Sequence, residues 1–293
     1  MVGYLVAVGI VALIYMLLTI GLNLQYGYTG LINFGVVAFF GIGAYASALL
    51  TLAGWPLLPA FLVAIGVAGI AAYPIGLLSL RLSDDYLAVV TLGFSEVVRL
   101  LIQQEQWLTK GVQGLPGIPR VFGSLGVGEY ADLATLGVLV LCNGAAVALM
   151  VHLVRSPYGR LIQAIRDDEV AVEAIGKDPR WYKVQVFMLG AGLAGLAGAF
   201  YAHFITYLSP EQFLPLVTFY VWIAMIIGGT GRTSGAVAGS LILMVFLEGS
   251  RFARDWIPGV SEVQMASVRL AIVGLALILF TLYRPQGLMG RRS

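Results

Sequence analysis

The 293-residue chain is poor in the groups that most protein chemistry uses: one cysteine, Cys142, two histidines, and only 11% charged residues. Each shortage excludes something. A lone thiol in an apolar run cannot form an intrachain disulfide. His152 and His203 stand far apart, without carboxylate or cysteine neighbours at ligand spacing, so no metal site is expected and both are read as structural. No Ser, His and Asp set suggests a hydrolase. No GxxxxGK[ST] phosphate loop occurs, because Gly176-Lys177 is followed by Asp178 and lacks the upstream glycine. The chain is therefore expected to hydrolyse no ATP alone and to bind no cofactor itself. Soluble domains carry roughly 25% charged residues, so a solvated globular protein is excluded too. A net charge of +2 gives no reason to expect nucleic acid as a partner. The N-terminus has no basic n-region, and its apolar run is long enough to span, so a cleavable signal is not expected.

What the chain has instead is apolar length. Hydrophobic residues make up 59%, glycines number 37, and mean hydropathy is +0.91. The short alternating segments of a membrane β-barrel are absent. The reading is an all-α polytopic membrane protein, one transmembrane domain over residues 1–293, in the lipid bilayer. Runs of about 20 apolar residues place spans near 2–24, 31–53, 57–79, 86–103, 132–154, 184–208, 215–231, 234–250 and 263–283, about nine in a range of eight to ten. Alternation through these spans puts eleven Lys and Arg on the side of segment 155–183 and four on the other, which makes that side cytoplasmic. The run GAGLAG at 190–195 matches a dinucleotide fingerprint, but no strand precedes it. Gly190, Ala194 and Gly198 recur every four residues and read as a helix-packing face.

Segment 155–183 breaks the apolar pattern, with six of the seventeen basic residues and five of the fifteen acidic ones. Charges left in hydrocarbon cost several kcal/mol each, so the segment must be solvated or covered by protein. Ser156-Pro157 reads as an N-cap with proline at the first helical position, and Gly176 with Pro179 as a glycine C-cap and stop. One helix is expected over about 157–175. Asp178-Pro179 repeats the start signal for the next span. Leu161, Ile165, Val172 and Ile175 share one face at helical spacing, suited to an apolar groove on a partner.

Two glycine-rich stretches interrupt the spans on the same side, at 27–35 and 228–235. They read either as the trace of a parallel internal repeat, with Thr29 and Asn33 facing a pathway, or as tight turns with close helix packing. Ionisable residues at membrane depth are functional candidates. Glu96 and Arg99, three apart, read either as a structural pair or as part of a pathway. Glu248 and Arg251 form a similar pair, and Arg269 needs a carboxylate from another helix, with Glu96 or Glu248 as candidates.

Taken together, SPYGR at 156–160, AIRDDE at 164–169, EAIG at 173–176, Tyr182-Lys183 and AGLAGA at 194–199 resemble the cytoplasmic coupling loop of LivM-type permeases, membrane subunits of bacterial branched-chain amino acid ABC importers. GLINFG at 30–35, FFGIGAY at 39–45, DYLAVVTLGF at 85–94, Glu96 to Arg99 and GIP at 117–119 follow in that family's order, so the resemblance covers most of the chain. It implies a second homologous permease subunit, two cytoplasmic ATPases that hold ATP and Mg, an extracytoplasmic solute-binding protein, an amino acid substrate, and the bacterial inner membrane. It also implies ATPase-coupling roles for Tyr158, Gly159, Arg160, Ile165, Arg166, Asp167, Glu173 and Gly176, with Thr29, Asn33, Glu96 and Arg99 as candidates for the pathway. One departure stands out: EQWLTKG at 105–111 puts Lys110 where the family has glycine. Related systems also carry urea, short amides or other amino acids. Outside this class, an ion-coupled secondary transporter needs no docking helix, and a structural or signalling subunit shows no solute dependence.

Overall fold

The structure, a computed structural model, describes residues 2–80, 82–123 and 129–253, and from the C-terminal part 267–268, 271–272, 274–275, 278–279, 282–283 and 287–289. Apolar helices dominate it. Helices occupy eight of the nine stretches expected to span: α1 (Val2–Leu22), α2 (Val36–Leu52), α3 (Leu57–Ala71) continued by α4 (Tyr73–Leu78), α5 (Asp84–Gln104), α7 (Glu129–Arg155), α10 (Pro179–Ile205), α11 (Pro215–Gly228) and α12 (Thr233–Ala253); among the described residues Val2–Tyr28, Leu57–Leu78, Tyr130–Arg155 and Pro179–Ile205 are long and apolar enough to cross a membrane. The short α6 (Gln106–Thr109) lies between α5 and α7, and α8 (Pro157–Asp167) and α9 (Glu169–Ala174) lie between α7 and α10. Most of the ninth expected span, with Arg269, is outside the described residues.

Several boundaries differ from expectation for local reasons. The third span is divided at Ala72, where Pro74 brings no N–H to the helical ladder. The first span ends in a π-helical turn, Asn23–Tyr28, and residues 29–35 are not helical, so α2 starts at Val36 rather than at 31. At 17 residues α2 is about 25 Å long, short of the ~30 Å hydrocarbon thickness. The irregular stretch supplies the remaining depth, and it is buried in protein, where such backbone is tolerated.

Helix α10 is the centre of the bundle, packed against α1, α2, α3 and α4. Its small residues make this possible, as the spacing of 190–198 suggested. A Cβ on Gly198 would meet the Phe40 carbonyl, and one on Gly195 would meet Ala64 and Ala68. Around this contact lie Phe39, Phe187 and Phe200, all but fully buried. Helices α11 and α12 form an antiparallel pair joined through Gly228 and Gly239, and α1 bridges them to α7.

The segments assigned to opposite sides of the membrane gather at opposite ends of the bundle. At one end, 23–28, 229–233 and α8 meet. At the other, β1 (Leu115–Pro116) pairs antiparallel with β2 (Tyr207–Leu208), and His203 Nδ1 lies 2.6 Å from the Pro119 carbonyl oxygen. In this second end Lys110 has φ 62°, the left-handed conformation. A glycine there is free of the Cβ penalty, which explains why the resembling family places one. Lys110→Gly is expected to stabilise the fold by about 1 kcal/mol, read as a rise in the midpoint of thermal unfolding in detergent.

Candidate functional site

Segment 155–183 is folded, though not as one helix. Ser156 Oγ accepts from the Gly159 N–H at 3.3 Å, Pro157 opens α8, and Gly159 fits because a Cβ there would strike the Leu153 and Val154 carbonyls. The helix stops at Asp167. Asp168 is extended (φ −158°) and its carboxylate accepts from the Ala171 N–H at 3.0 Å, capping a second helix, α9. The second aspartate of the Asp167-Asp168 pair competes for the backbone as an N-cap, so the expected helix 157–175 is two helices. At the far end Gly176 has φ 78°, with the Gly176 N–H bonded to the Glu173 carbonyl and the Lys177 N–H to that of Val172, the two-bond termination expected of a glycine C-cap. Asp178 then caps α10 through the Arg180 N–H.

The shared apolar face is turned mostly inward. Of the four residues that share it, Ile165 and Val172 are buried against the chain's own bundle together with Ile162, Leu161 is half-buried, and Ile175 is 72% exposed, so only the Ile175 end of that face stays open to a partner. Lys183 Nζ, 2.5 Å from Glu169 Oε2, ties α9 to α10. Tyr158 packs on Tyr182, and burial pushes its hydroxyl up to about 12, so it stays neutral. The outward surface carries Arg160, Asp167, Glu173 and Gly176, with Val170 and Ile175 as exposed apolar groups.

Arg166 joins this loop to the membrane core. Its Nη1 donates to the Gly27 carbonyl at 2.5 Å, and Gly30 lies against its aliphatic stem. Gly27 in turn abuts Gly231. Asn23 holds the second glycine stretch from two sides: its Oδ1 accepts from the Gly231 N–H at 2.9 Å, and its Nδ2 donates to the Arg232 carbonyl at 3.1 Å. The Tyr28 and Thr233 hydroxyls are 3.1 Å apart. The two glycine stretches and the charged loop, separate in sequence, thus meet at one junction. Described tail residues join it, since the Leu288 and Met289 N–H groups bond the Ile227 and Gly228 carbonyls. A cavity of about 280 Å³ between Arg155, Arg232, Tyr28, Thr233 and Ser234 opens beside the junction.

Of the candidates for the pathway, Thr29 and Asn33 belong to the first of these glycine stretches, and Glu96 and Arg99 to α5. Thr29 is buried, its hydroxyl donating to the Leu24 carbonyl at 3.2 Å. Asn33 is 1% exposed and bonded through both side-chain polar atoms and its carbonyl: Nδ2 donates to Gln25 Oε1 at 2.9 Å, Oδ1 accepts from the Gly35 N–H at 2.8 Å, and its carbonyl accepts from the Trp222 indole at 3.0 Å. Gln25 continues to the Phe187 carbonyl, so these bonds clip the non-helical stretch to α10 and α11. Glu96 Oε2 is 2.6 Å from Arg99 Nε on half-buried side chains of α5, a pair one helical turn apart. Glu248 accepts from the Tyr4 hydroxyl. Sequence reasoning passed over Asn23, Gln25 and Trp222. The signal for the first two was present, as two carboxamides in the last apolar turn before Gly27.

The family described as "Branched-chain amino acid transport system / permease component" matches residues 4–281. The chain belongs to this permease family. Among relatives of the permease, the high-affinity branched-chain amino acid transport system permease protein LivM of Escherichia coli is 31% identical over 97% of this chain and 69% of its own length. LivM of Salmonella typhimurium is 32% identical over the same shares. The LivH permease protein of E. coli is 26% identical over 94% of this chain and 91% of its own. No solved structure matches. The permease is thus similar both to LivM proteins and, more distantly, to LivH proteins.

Proposed function

We propose that this permease is one of two related membrane subunits of an ABC importer in a bacterial inner membrane, and that it moves branched-chain amino acids received from an extracytoplasmic binding protein. Two cytoplasmic ATPases hold ATP and Mg, and the chain itself is no enzyme. The names of the relatives support the substrate class, and the similarity to both LivM and LivH supports a paired permease. The observation that carries the reading is the Arg166 bond to Gly27. Through it, a push on the exposed surface of α8 and α9 reaches the backbone break between α1 and α2 and the one between α11 and α12 together. A carrier driven by an ion gradient has no use for such a lever.

Asn33, Thr29, Glu96 and Arg99 serve the pathway indirectly in this proposal. The Asn33 bonds fix the non-helical stretch in one access state and are exchanged in the other, while Glu96 and Arg99 are kept neutral as a pair within α5. The test is reconstitution. The chain alone in liposomes is expected to take up no leucine. With a second permease, both ATPases and the binding protein, uptake is expected to follow ATP. ATP-independent uptake of leucine by the isolated chain overturns the proposal.

A further inference from the structure

We propose that the cavity between the end of α7 and the start of α12 is a binding site for a phosphate group. Arg155 reaches it from α7, and Arg232, Thr233 and Ser234 from the start of α12. Both arginines are exposed, and among the described residues no carboxylate lines the cavity or lies within ion-pair distance of either guanidinium. Two like charges on one cavity repel each other. An anion between them relieves that repulsion and gives both planar forks a partner. The end of α12 adds to the same field. The Ala236 N–H bonds the Arg232 carbonyl at 3.2 Å, so Arg232 occupies the cap position of this 21-residue helix. An arginine side chain accepts nothing, and among the described residues no acceptor bonds the Ser234 and Gly235 N–H groups. At the back of the cavity the Tyr28 and Thr233 hydroxyls, both on buried residues, hold one another at 3.1 Å.

Size and level name the occupant. About 280 Å³ is room for roughly nine waters at ~30 Å³ each, below the ~300–1,000 Å³ of sites that take drug-sized ligands. The cavity suits one small anionic group. A carboxylate offers two oxygens, which a single guanidinium fork engages, whereas a phosphate can serve both forks and the helix end together. Helix α7, with 27 residues, is ~40 Å long against a hydrocarbon core of ~30 Å, so its last turn, with Arg155, stands at the headgroup level. The phosphate at hand there is that of a phospholipid headgroup in the leaflet at the coupling-loop end, where basic pockets between spans hold anionic lipids. Held in place, it ties the end of α7 to the start of α12 across α1, on which both helices pack.

The permease, with whatever subunits accompany it, is placed in phosphatidylcholine nanodiscs that contain phosphatidylglycerol with a photoreactive headgroup, and crosslinks are mapped by mass spectrometry. Label is expected to concentrate in 151–155 and 232–234. Arg155→Gln and Arg232→Gln should each lower it about fivefold, and the double variant more than tenfold. Arg180→Gln removes an exposed charge from the start of α10, outside the cavity, and should leave the label unchanged. A second readout guards against misfolding: phosphatidylglycerol should raise the midpoint of thermal unfolding of the wild type and not of the double variant. Excess inorganic phosphate separates the sources, because label that persists names the headgroup and label that is displaced names the free anion in the same site. Equal loss in Arg180→Gln, or full label in the double variant, shows only a diffuse positive surface and overturns the site. So does label that appears only once accompanying subunits are stripped away, which assigns the two arginines to a partner's acidic residues.

Discussion

Gly198→Val is expected to remove the folded permease from the membrane, the largest effect of any single change proposed for this chain. A Cβ at 198 meets the Phe40 carbonyl and the Ala44 nitrogen, both backbone atoms of α2, and on the same seam Gly43 faces the Gly195 backbone. Inserting atoms into a packed interior typically costs 1–3 kcal/mol when side chains can shift. Here nothing flexible can give, so α2 and α10 must separate along the contact that centres the bundle. The loss should exceed about 3 kcal/mol, enough to unfold a marginally stable protein. Gly144→Val is the control: it adds the same atoms to an apolar helix at a position with nothing within 4 Å. Detergent-extracted protein of each variant, measured by size exclusion and thermal unfolding, should be near wild type for Gly144→Val and largely lost for Gly198→Val. A folded Gly198→Val protein at normal abundance contradicts the packing.

The difference between the two glycines also marks what could be read from the chain. Gly190, Ala194 and Gly198 announced a packing face because four-residue spacing repeats in sequence. That Gly198 of this face meets Phe40 and Ala44 on α2 could not be read, since the partner is set by tertiary docking. Spans were legible because 20 apolar residues have no other use, and the caps at Ser156, Gly176 and Asp178 because each is a local hydrogen-bonding choice. The break at Asp168 was missed although it is equally local. Helical spacing of Leu161, Ile165, Val172 and Ile175 favoured continuity, and the aspartate's own bond to Ala171 won. Inward burial of Ile165 and Val172 was not legible, because amphipathicity tells which residues seek cover and not whose surface provides it.

The junction shows the same limit at longer range. Each of its three parts was singled out, as charged loop or glycine-rich break, and each for a local reason. Their meeting depends on Asn23 and Arg166, which bond partners 208 and 139 residues away. Both bonds end on backbone atoms, and backbone partners leave no trace in residue identity. The irregular stretches need such bonds because their own peptide groups are not served by a helix. Glycines at the contact let the chains come close enough for one arginine and one asparagine to serve both breaks.

Arg166→Ala is therefore expected to uncouple the permease while leaving it folded. The guanidinium is partly solvated and its one hydrogen bond among the described residues goes to the Gly27 carbonyl, so loss of a single charge-assisted hydrogen bond costs the fold roughly 1.5–3 kcal/mol. The buried contacts of α8, Ile162 and Ile165, remain. What disappears is the link from the exposed surface of α8 and α9 to the break after α1. Coupling free energies of 1–3 kcal/mol correspond to roughly 5–150-fold effects, so solute-stimulated ATP hydrolysis in the reconstituted importer should fall roughly tenfold or more at near-normal membrane abundance. Arg166→Lys keeps one donor on a long stem and should recover part of the stimulation. Arg160→Ala should do little to this link, because Arg160 is exposed and among the described residues its side chain reaches only the Arg155 carbonyl on its own segment, at 3.5 Å. Basal and stimulated ATPase rates measured on all three variants decide the matter: full stimulation in Arg166→Ala at normal abundance means that the bond to Gly27 transmits nothing.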